Sequence, residues 1–293
     1  MINTRILEQR LGWKVPRDGD EDTPPPTRPI AHAPMLQGRV TNARTGLPRS
    51  HRRGAADSVW AEIPQVLSAP DRLSAKGSAP SFARGSVGGT AMDQLRTQLL
   101  RVTADKGWRR IGVTSARRGA GRSFVAAGLA VSIARLETQR VLLLDGDLAD
   151  PGLADLLGLS APGSLDDVLG GTRDPLSQLV RVGDSMALAL NDHPVPAADE
   201  RLYSPDTILR WRALMEVAAP DVVILDLPPL LDDAVMTALM PQLDAVLLVA
   251  DGLNSTARDI LECERILEGQ LPLLGIVLNK SEDRDSRRST RRR

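Results

Sequence analysis

The stretch Ile111–Ser123, IGVTSARRGAGRS, runs from a short apolar segment through a glycine-bearing turn, and the residues after it, FVAAGLAVSIA, continue in an alanine-rich helical pattern. Gly119 and Gly121 let the backbone curl close to the oxygens of a phosphate, and the helix start at Arg122 and Ser123 adds amide donors and a positive dipole end. The full GxxxxGK[ST] pattern of a phosphate loop is not met: Ala116 takes the first glycine position and Arg122 the lysine position. A strand-to-helix turn without a ligand would carry similar glycines. The choice depends on what the rest of the chain sets beside it.

From Thr90 onward short apolar runs alternate with helical patterns. RRIGVTS, VLLLDGD, VVILDLP, AVLLVAD and LLGIVLN read as strands, with helices near 122–136, 152–158, 164–170, 205–217, 232–240 and 256–268. Ahead of them AMDQLRTQLLRV places Met92, Leu95, Leu99 and Leu100 on one helical face. The strands are continuously apolar rather than alternating, as strands covered by helices on both faces are. This predicts an α/β fold, a doubly wound, mostly parallel sheet.

Ligands of such sheets bind at the carboxyl ends of the strands. The second strand ends in Asp145 and Asp147, followed by Asp150-Pro151, and a third ends in Asp226 ahead of a double proline that turns the chain out of the sheet. Two carboxylates leaving one strand can hold magnesium directly or through waters, and one can orient or deprotonate a nucleophile. Helix capping by Asp147 or Asp150 is compatible with that role. A glycine turn, a DxD and an hhhhD on three strands of one sheet point to a nucleotide and a metal.

These residues also carry a resemblance. VTSARRGAGRSFVAAGLAVSIARLETQRVLLLDGDLADPGLADLLGL resembles the bacterial tyrosine kinases of capsule and exopolysaccharide synthesis, the CpsD/CapB type, within the MinD/ParA-like P-loop NTPases. SLDDVLGG, PVPAADERLYSP, DVVILDLPPLLDDA and GIVLNK are similar to further family motifs in the same order, and AMDQLRTQLL is similar to the family's EAxRxLRTNL helix. The resemblance covers about residues 90–282. It implies that Arg118, Gly119, Ala120, Gly121, Arg122, Ser123 and Phe124 cradle the phosphates of ATP or ADP. Ser123, Asp145 and Asp226 would hold Mg2+, with Asp145 and Asp147 as the Walker A′ pair. Arg122, Asp145 and Asp147 are then the candidates for catalysis, Asn279 for contact with the base, and Arg117 for the place of the family's additional lysine. The implied partner is the cytoplasmic part of a membrane polysaccharide co-polymerase; homo-oligomer formation stays open.

Three departures bear on activity. A guanidinium at Arg122 is wider and planar where the loop is shaped for a point-like ammonium, so turnover should suffer more than binding. The segment SEDRDSRRSTRRR contains none of the tyrosines that such kinases phosphorylate in their tails. The chain's one tyrosine, Tyr203, is expected half-buried. ADPG replaces a basic RRP after the Walker A′ pair. The function this predicts is a nucleotide-binding, degenerate kinase that regulates the co-polymerase. An active kinase on an external substrate and a ParA- or MinD-like positioning ATPase are the alternatives.

Composition weighs against the last. Residues 1–89 carry 13 Lys/Arg against 8 Asp/Glu and residues 281–293 carry 6 against 3, which leaves the middle at net −8 and a poor surface for nucleic acid. The end of the sequence has no apolar face for a membrane-binding helix. Residues 1–89 are expected to be disordered, with 10 of the 21 prolines falling between 15 and 88 and short docking helices at Asn3–Leu11 and around Val59–Leu67. The nucleotide-binding domain is expected over 90–282, and a basic, disordered tail over 283–293. One cysteine, Cys263, precludes an internal disulfide, no apolar run reaches the roughly 18–20 residues of a membrane span, and MINTRILEQRLGWK lacks a signal-peptide core. These features predict a cytoplasmic protein recruited to the inner membrane face by its partner. His32, His51, His193 and Cys263 show no metal-ligand spacing.

Overall fold

The computed structural model describes residues 57–280 apart from 68, 71–72, 74–81 and 233. The expected helix at Asn3–Leu11 and the basic segment 283–293 lie outside the described residues.

Eight strands form one sheet. In chain order they are β1 (Gln65–Leu67), β2 (Arg110–Ser115), β3 (Val141–Asp145), β4 (Leu179–Val182), β5 (Met186–Ala189), β6 (Val222–Asp226), β7 (Ala245–Asp251) and β8 (Leu273–Asn279). Their spatial order is β1-β4-β5-β3-β6-β2-β7-β8. From β5 to β8 every pairing is parallel; β4 runs antiparallel to β5 and β1 parallel to β4. β2 and β3 are thus separated by β6, which arrives much later in the chain.

The helices are α1 (Val87–Lys106), α2 (Arg122–Ala134), α3 (Leu153–Leu157), α4 (Leu165–Gly170), α5 (Ala198–Leu202), α6 (Pro205–Glu216), α7 (Ala234–Leu239) and α8 (Ala257–Leu267). Local sequence sets their ends. Ser86 accepts from the Gly89 amide to start α1, and Gly107 at φ 71° closes it. At α8, Thr256 and Asp259 form a capping box.

Alternate residues of each strand serve opposite faces of the sheet. Val113, Leu143, Ile224 and Leu247 pack with α1, α2 and α3, while Leu142, Leu144, Leu225 and Leu248 pack with Trp211 and Leu214 of α6, Met236 of α7 and Cys263 of α8. Both cores are apolar and continuous, which explains the uninterrupted apolar runs. At Gly112 a Cβ would stand 2.4 Å from Leu227 Cδ1, so the strand packs there without a side chain.

The folded body reaches further toward the N-terminus than residue 90. Residues 57–62 are helical, but Gln65–Leu67, expected to continue that helix, is strand β1, tied to the sheet by Arg181 N–H to Pro64 O and Gly183 N–H to Leu67 O. Trp60, Ile63, Leu73 and Phe82 are core residues. Trp60 donates from Nε1 to Asp184 O at 2.9 Å and lies under the Arg140 guanidinium. The β4–β5 hairpin, turned at Gly183 with φ 62°, is a further addition to the predicted elements, as is α5. Tyr203, expected half-buried, is 70% exposed at the end of α5, where Ser204 and Pro205 turn the chain into α6.

Candidate functional site

The carboxyl ends of β2, β3 and β6 meet at one rim of the sheet. Asp145 and Asp226 are register partners on β3 and β6, and Val113 of β2 is the other partner of Asp226. Gly146 donates its amide to Asp226 O at 2.7 Å; a Cβ there would lie 2.9 Å from that oxygen, so glycine permits β3 to leave the sheet this close to β6. Asp145, Asp147 and Asp226 are all buried.

Such a concentration of acid is costly, and the charge states adjust. Burial pushes the Asp226 carboxyl up to about 7; the Ser123 hydroxyl and the Arg122 guanidinium pull it down, while the charge of Asp147 adds to the rise. Burial and the facing Asp226 hold Asp145 well above the usual carboxylate range, although the Leu153 amide donates to its Oδ2 at 3.2 Å. Among the described residues no hydrogen bond of ordinary geometry reaches Asp145 Oδ1 or either oxygen of Asp226.

Above this rim runs the loop from Ala116 to Gly121. Both of its glycines are left-handed, Gly119 at φ 85° and Gly121 at φ 89°. The loop is fastened beneath by Ser115 Oγ to Arg117 O at 2.6 Å, Leu231 N–H to Ala116 O at 3.2 Å, and Thr114 Oγ to Pro228 O at 2.6 Å. The amides of Gly119–Phe124 donate to no backbone carbonyl among the described residues, and the helical pattern begins with Val125 N–H to Gly121 O. A run of free N–H groups at a helix start is a place for an anion. The Phe124 ring itself stacks on Phe82, with centroids 5.1 Å apart.

The three loop arginines take different directions. Arg122 is buried and turned down into the rim, donating from Nη1 to Leu227 O at 2.9 Å and from Nη2 to Asp147 Oδ2 at 3.1 Å. Arg118 also reaches Asp147 Oδ2, at 3.2 Å, and Asp150 at 2.7 Å. Arg117 pairs instead with Asp232 and Asp259, at 3.2 Å each. Asn279 comes in from the end of β8, its Nδ2 donating to Ala120 O at 2.9 Å.

Of the residues singled out from sequence, Gly119, Gly121, Arg122, Asp145, Asp147 and Asp226 are thus brought together at this rim, with Asn279 reaching the loop from β8, Arg117 on its outer side and the Phe124 ring turned to Phe82. Two were missed. Asp251 ends the apolar run of β7 just as Asp226 ends β6, and that position was a signal for it. Lys280 had no sequence signal beyond its neighbour Asn279; it contacts both Asp251 and the loop.

A parallel sheet with a glycine turn over buried carboxylates on adjacent strands makes this a protein of the P-loop NTPase class. No protein-family model matches the chain. It is 29% identical over 187 residues to the tyrosine-protein kinase YwqD of Bacillus subtilis, covering 63% of this chain and 78% of that protein. It is 28% identical over 192 residues, 64% of its length, to AmsA of Erwinia amylovora, which bears a tyrosine-protein kinase name and of which it spans about a quarter, 26%. The kinase domain of the Escherichia coli tyrosine kinase ETK superposes with a TM-score of 0.59 at 26% identity, covering 67% of this chain and 76% of that one. The chain is thus similar in sequence and fold to bacterial tyrosine kinases of the P-loop NTPase class. Among the described residues no helix is long and apolar enough to cross a membrane.

Proposed function

We propose that this chain binds ATP or ADP with Mg2+ at the rim of β2, β3 and β6 and acts as a degenerate tyrosine kinase. In this role it regulates the cytoplasmic part of a membrane polysaccharide co-polymerase in exopolysaccharide or capsule synthesis. The fit to a nucleotide rests on the amides of Gly119–Phe124, which reach no backbone carbonyl among the described residues, and the fit to a hard cation on the buried Asp145 Oδ1 and the two carboxylate oxygens of Asp226 beside Ser123. A bound ATP supplies the phosphoryl group that kinases of this class transfer. The residues of this chain would cradle its phosphates with loop amides, hold the metal with Ser123, Asp145 and Asp226, and exclude water with the close-packed rim. Asp147 would orient an attacking group only once released from its arginines.

One observation carries the degenerate character: both terminal nitrogens of Arg122 donate to Leu227 O and Asp147, so the charge at the lysine position is paired with a carboxylate. A cation so paired contributes little to a transferring phosphoryl group, and its partner Asp147 is held as an ion-pair acceptor. Recruitment by the co-polymerase would bring the chain to the inner membrane face.

The test uses the full chain and its Arg122→Lys variant, with calorimetric titration of ATP and ADP in Mg2+ and phosphate release from the same preparations. Binding without release in the native chain, and release gained with lysine, are the expected results. Equal release by both proteins refutes degeneracy, and absence of binding in both refutes the nucleotide site.

A further inference from the structure

The phosphate loop is also held by Asn279, which ends β8, and by Lys280, which follows it. Asn279 Nδ2 donates to Ala120 O at 2.9 Å, and Lys280 Nζ donates to Gly119 O at 2.5 Å and to Asp251 Oδ2 at 3.2 Å. These contacts are built in. Asp251 and Asn279 are register partners at the ends of β7 and β8, and Gly252 N–H to Asn279 O at 2.8 Å closes the pair. Asp251 is itself fixed by the Leu253 amide at 2.8 Å and Asn254 Nδ2 at 2.9 Å. Lys280 adopts φ 54°, a left-handed value that few non-glycine residues take and that directs its chain back over the loop. A Cβ on Gly121 would stand 2.2 Å from Asn279 Nδ2, so the glycine makes room for the amide.

In a trans peptide the C=O of one residue and the N–H of the next point in opposite directions. Pinning the carbonyls of Gly119 and Ala120 outward therefore points the amides of Ala120 and Gly121 inward, toward the space over the acids. Both belong to the run of amides without a backbone acceptor. A cation on the Gly119 carbonyl also polarises that peptide and strengthens the N–H on its far side.

We propose that Lys280 and Asn279 are positioning residues that clamp the loop from outside, and that this clamp sets affinity for the phosphate chain of the ligand, whatever its base. The proposal rests on nucleotide binding at this rim. It assigns Asn279 work on the loop, in place of the contact with the base expected from sequence.

The test is titration of the full chain with ATP, GTP and tripolyphosphate, each with Mg2+, for the native protein and for Lys280→Met, Lys280→Arg and Asn279→Ala. Hydrogen bonds involving a charged group support an expected loss of about tenfold in affinity for Lys280→Met, shared equally by all three ligands and partly recovered in Lys280→Arg. Asn279→Ala should show the same uniform pattern. Unchanged tripolyphosphate affinity in Lys280→Met, with the native chain binding normally, overturns the clamp while leaving the nucleotide site intact. A loss confined to ATP in Asn279→Ala overturns the assignment of Asn279. A native chain that binds none of the three overturns the nucleotide site and the clamp together.

Discussion

Removing the Arg122 side chain should destabilise the nucleotide-free protein far more than an ordinary loop substitution. The Arg122 side chain is 8% exposed and its partner Asp147 4%, so the pair is shielded from water. Taking one partner from a buried pair costs about 3–5 kcal/mol, because the remaining charge keeps its desolvation penalty. Here Arg118 also reaches Asp147, but with 42% of its side chain exposed it is screened by solvent and offsets on the order of 1 kcal/mol. Arg122→Ala is therefore expected to lose about 2–4 kcal/mol, which for a body of this size lowers Tm by on the order of 5–15 °C. Adding Asp147→Asn should recover part of the loss, since the uncompensated charge goes with it. Thermal unfolding by circular dichroism, without nucleotide, measures both. A melting point for Arg122→Ala within about 2 °C of native, or a double variant no better than the single one, would show that the ion pair does not hold the rim together.

Three other outcomes follow from the packing and charges. Trp60→Ala removes a buried ring, its bond to Asp184 O and the Arg140 contact, and should cost about 3–5 kcal/mol in urea unfolding; no change would place residues 57–67 outside the cooperative unit. Burial pushes the Asp244 carboxyl up, but hydrogen bonds from the Arg110 side chain and the Arg109 and Arg110 amides outweigh it, leaving the group below its usual range. Its stabilisation is present above the unfolded value and lost as pH falls through the folded one, so the gap in urea midpoint between native and Asp244→Asn should be widest near neutrality and shrink toward pH 3. The Cys263 thiol, fully buried and pushed up to about 12 by desolvation, should resist maleimide at pH 8 until denaturant is added; rapid labelling of the native chain would contradict its place in the core.

The parallel core was legible because each strand is buried on both faces and therefore appears as an unbroken apolar run. The rim was legible for the same reason: the first carboxylate after such a run, Asp145 or Asp226, must lie at the carboxyl edge. The short strands resisted. LVRV and MALA in β4 and β5 are too brief to separate from the surrounding loop pattern, and Gln65–Leu67 is a strand because of what it pairs with. Trp60 and Phe82 lie in a proline-rich composition that argues against order, yet docking on a finished core buries both. The direction of Arg122 was not readable either, since it follows from the placement of Asp147 and Leu227 O by the loops after β3 and β6. Tyr203 was misjudged because the aromatic was taken for a packing residue, whereas the turn between α5 and α6 leaves it outside both helical faces.

The position of β6 between β2 and β3 has a consequence for synthesis. β2 and β3 are complete by residue 145, but the strand that joins them spans Val222–Asp226. Until the ribosome has released those residues, both strands keep an open edge and apolar faces with nowhere to pair, and the acids of the rim have no shared geometry. A nascent chain stopped before Val222 is thus a pair of unjoined halves with exposed valine- and leucine-rich edges, prone to stick to its neighbours. One that has passed Asp226 can join β2 to β3 and bring the acids of the rim together in a single event, while the far edge of β2 stays open until β7, Ala245–Asp251, follows.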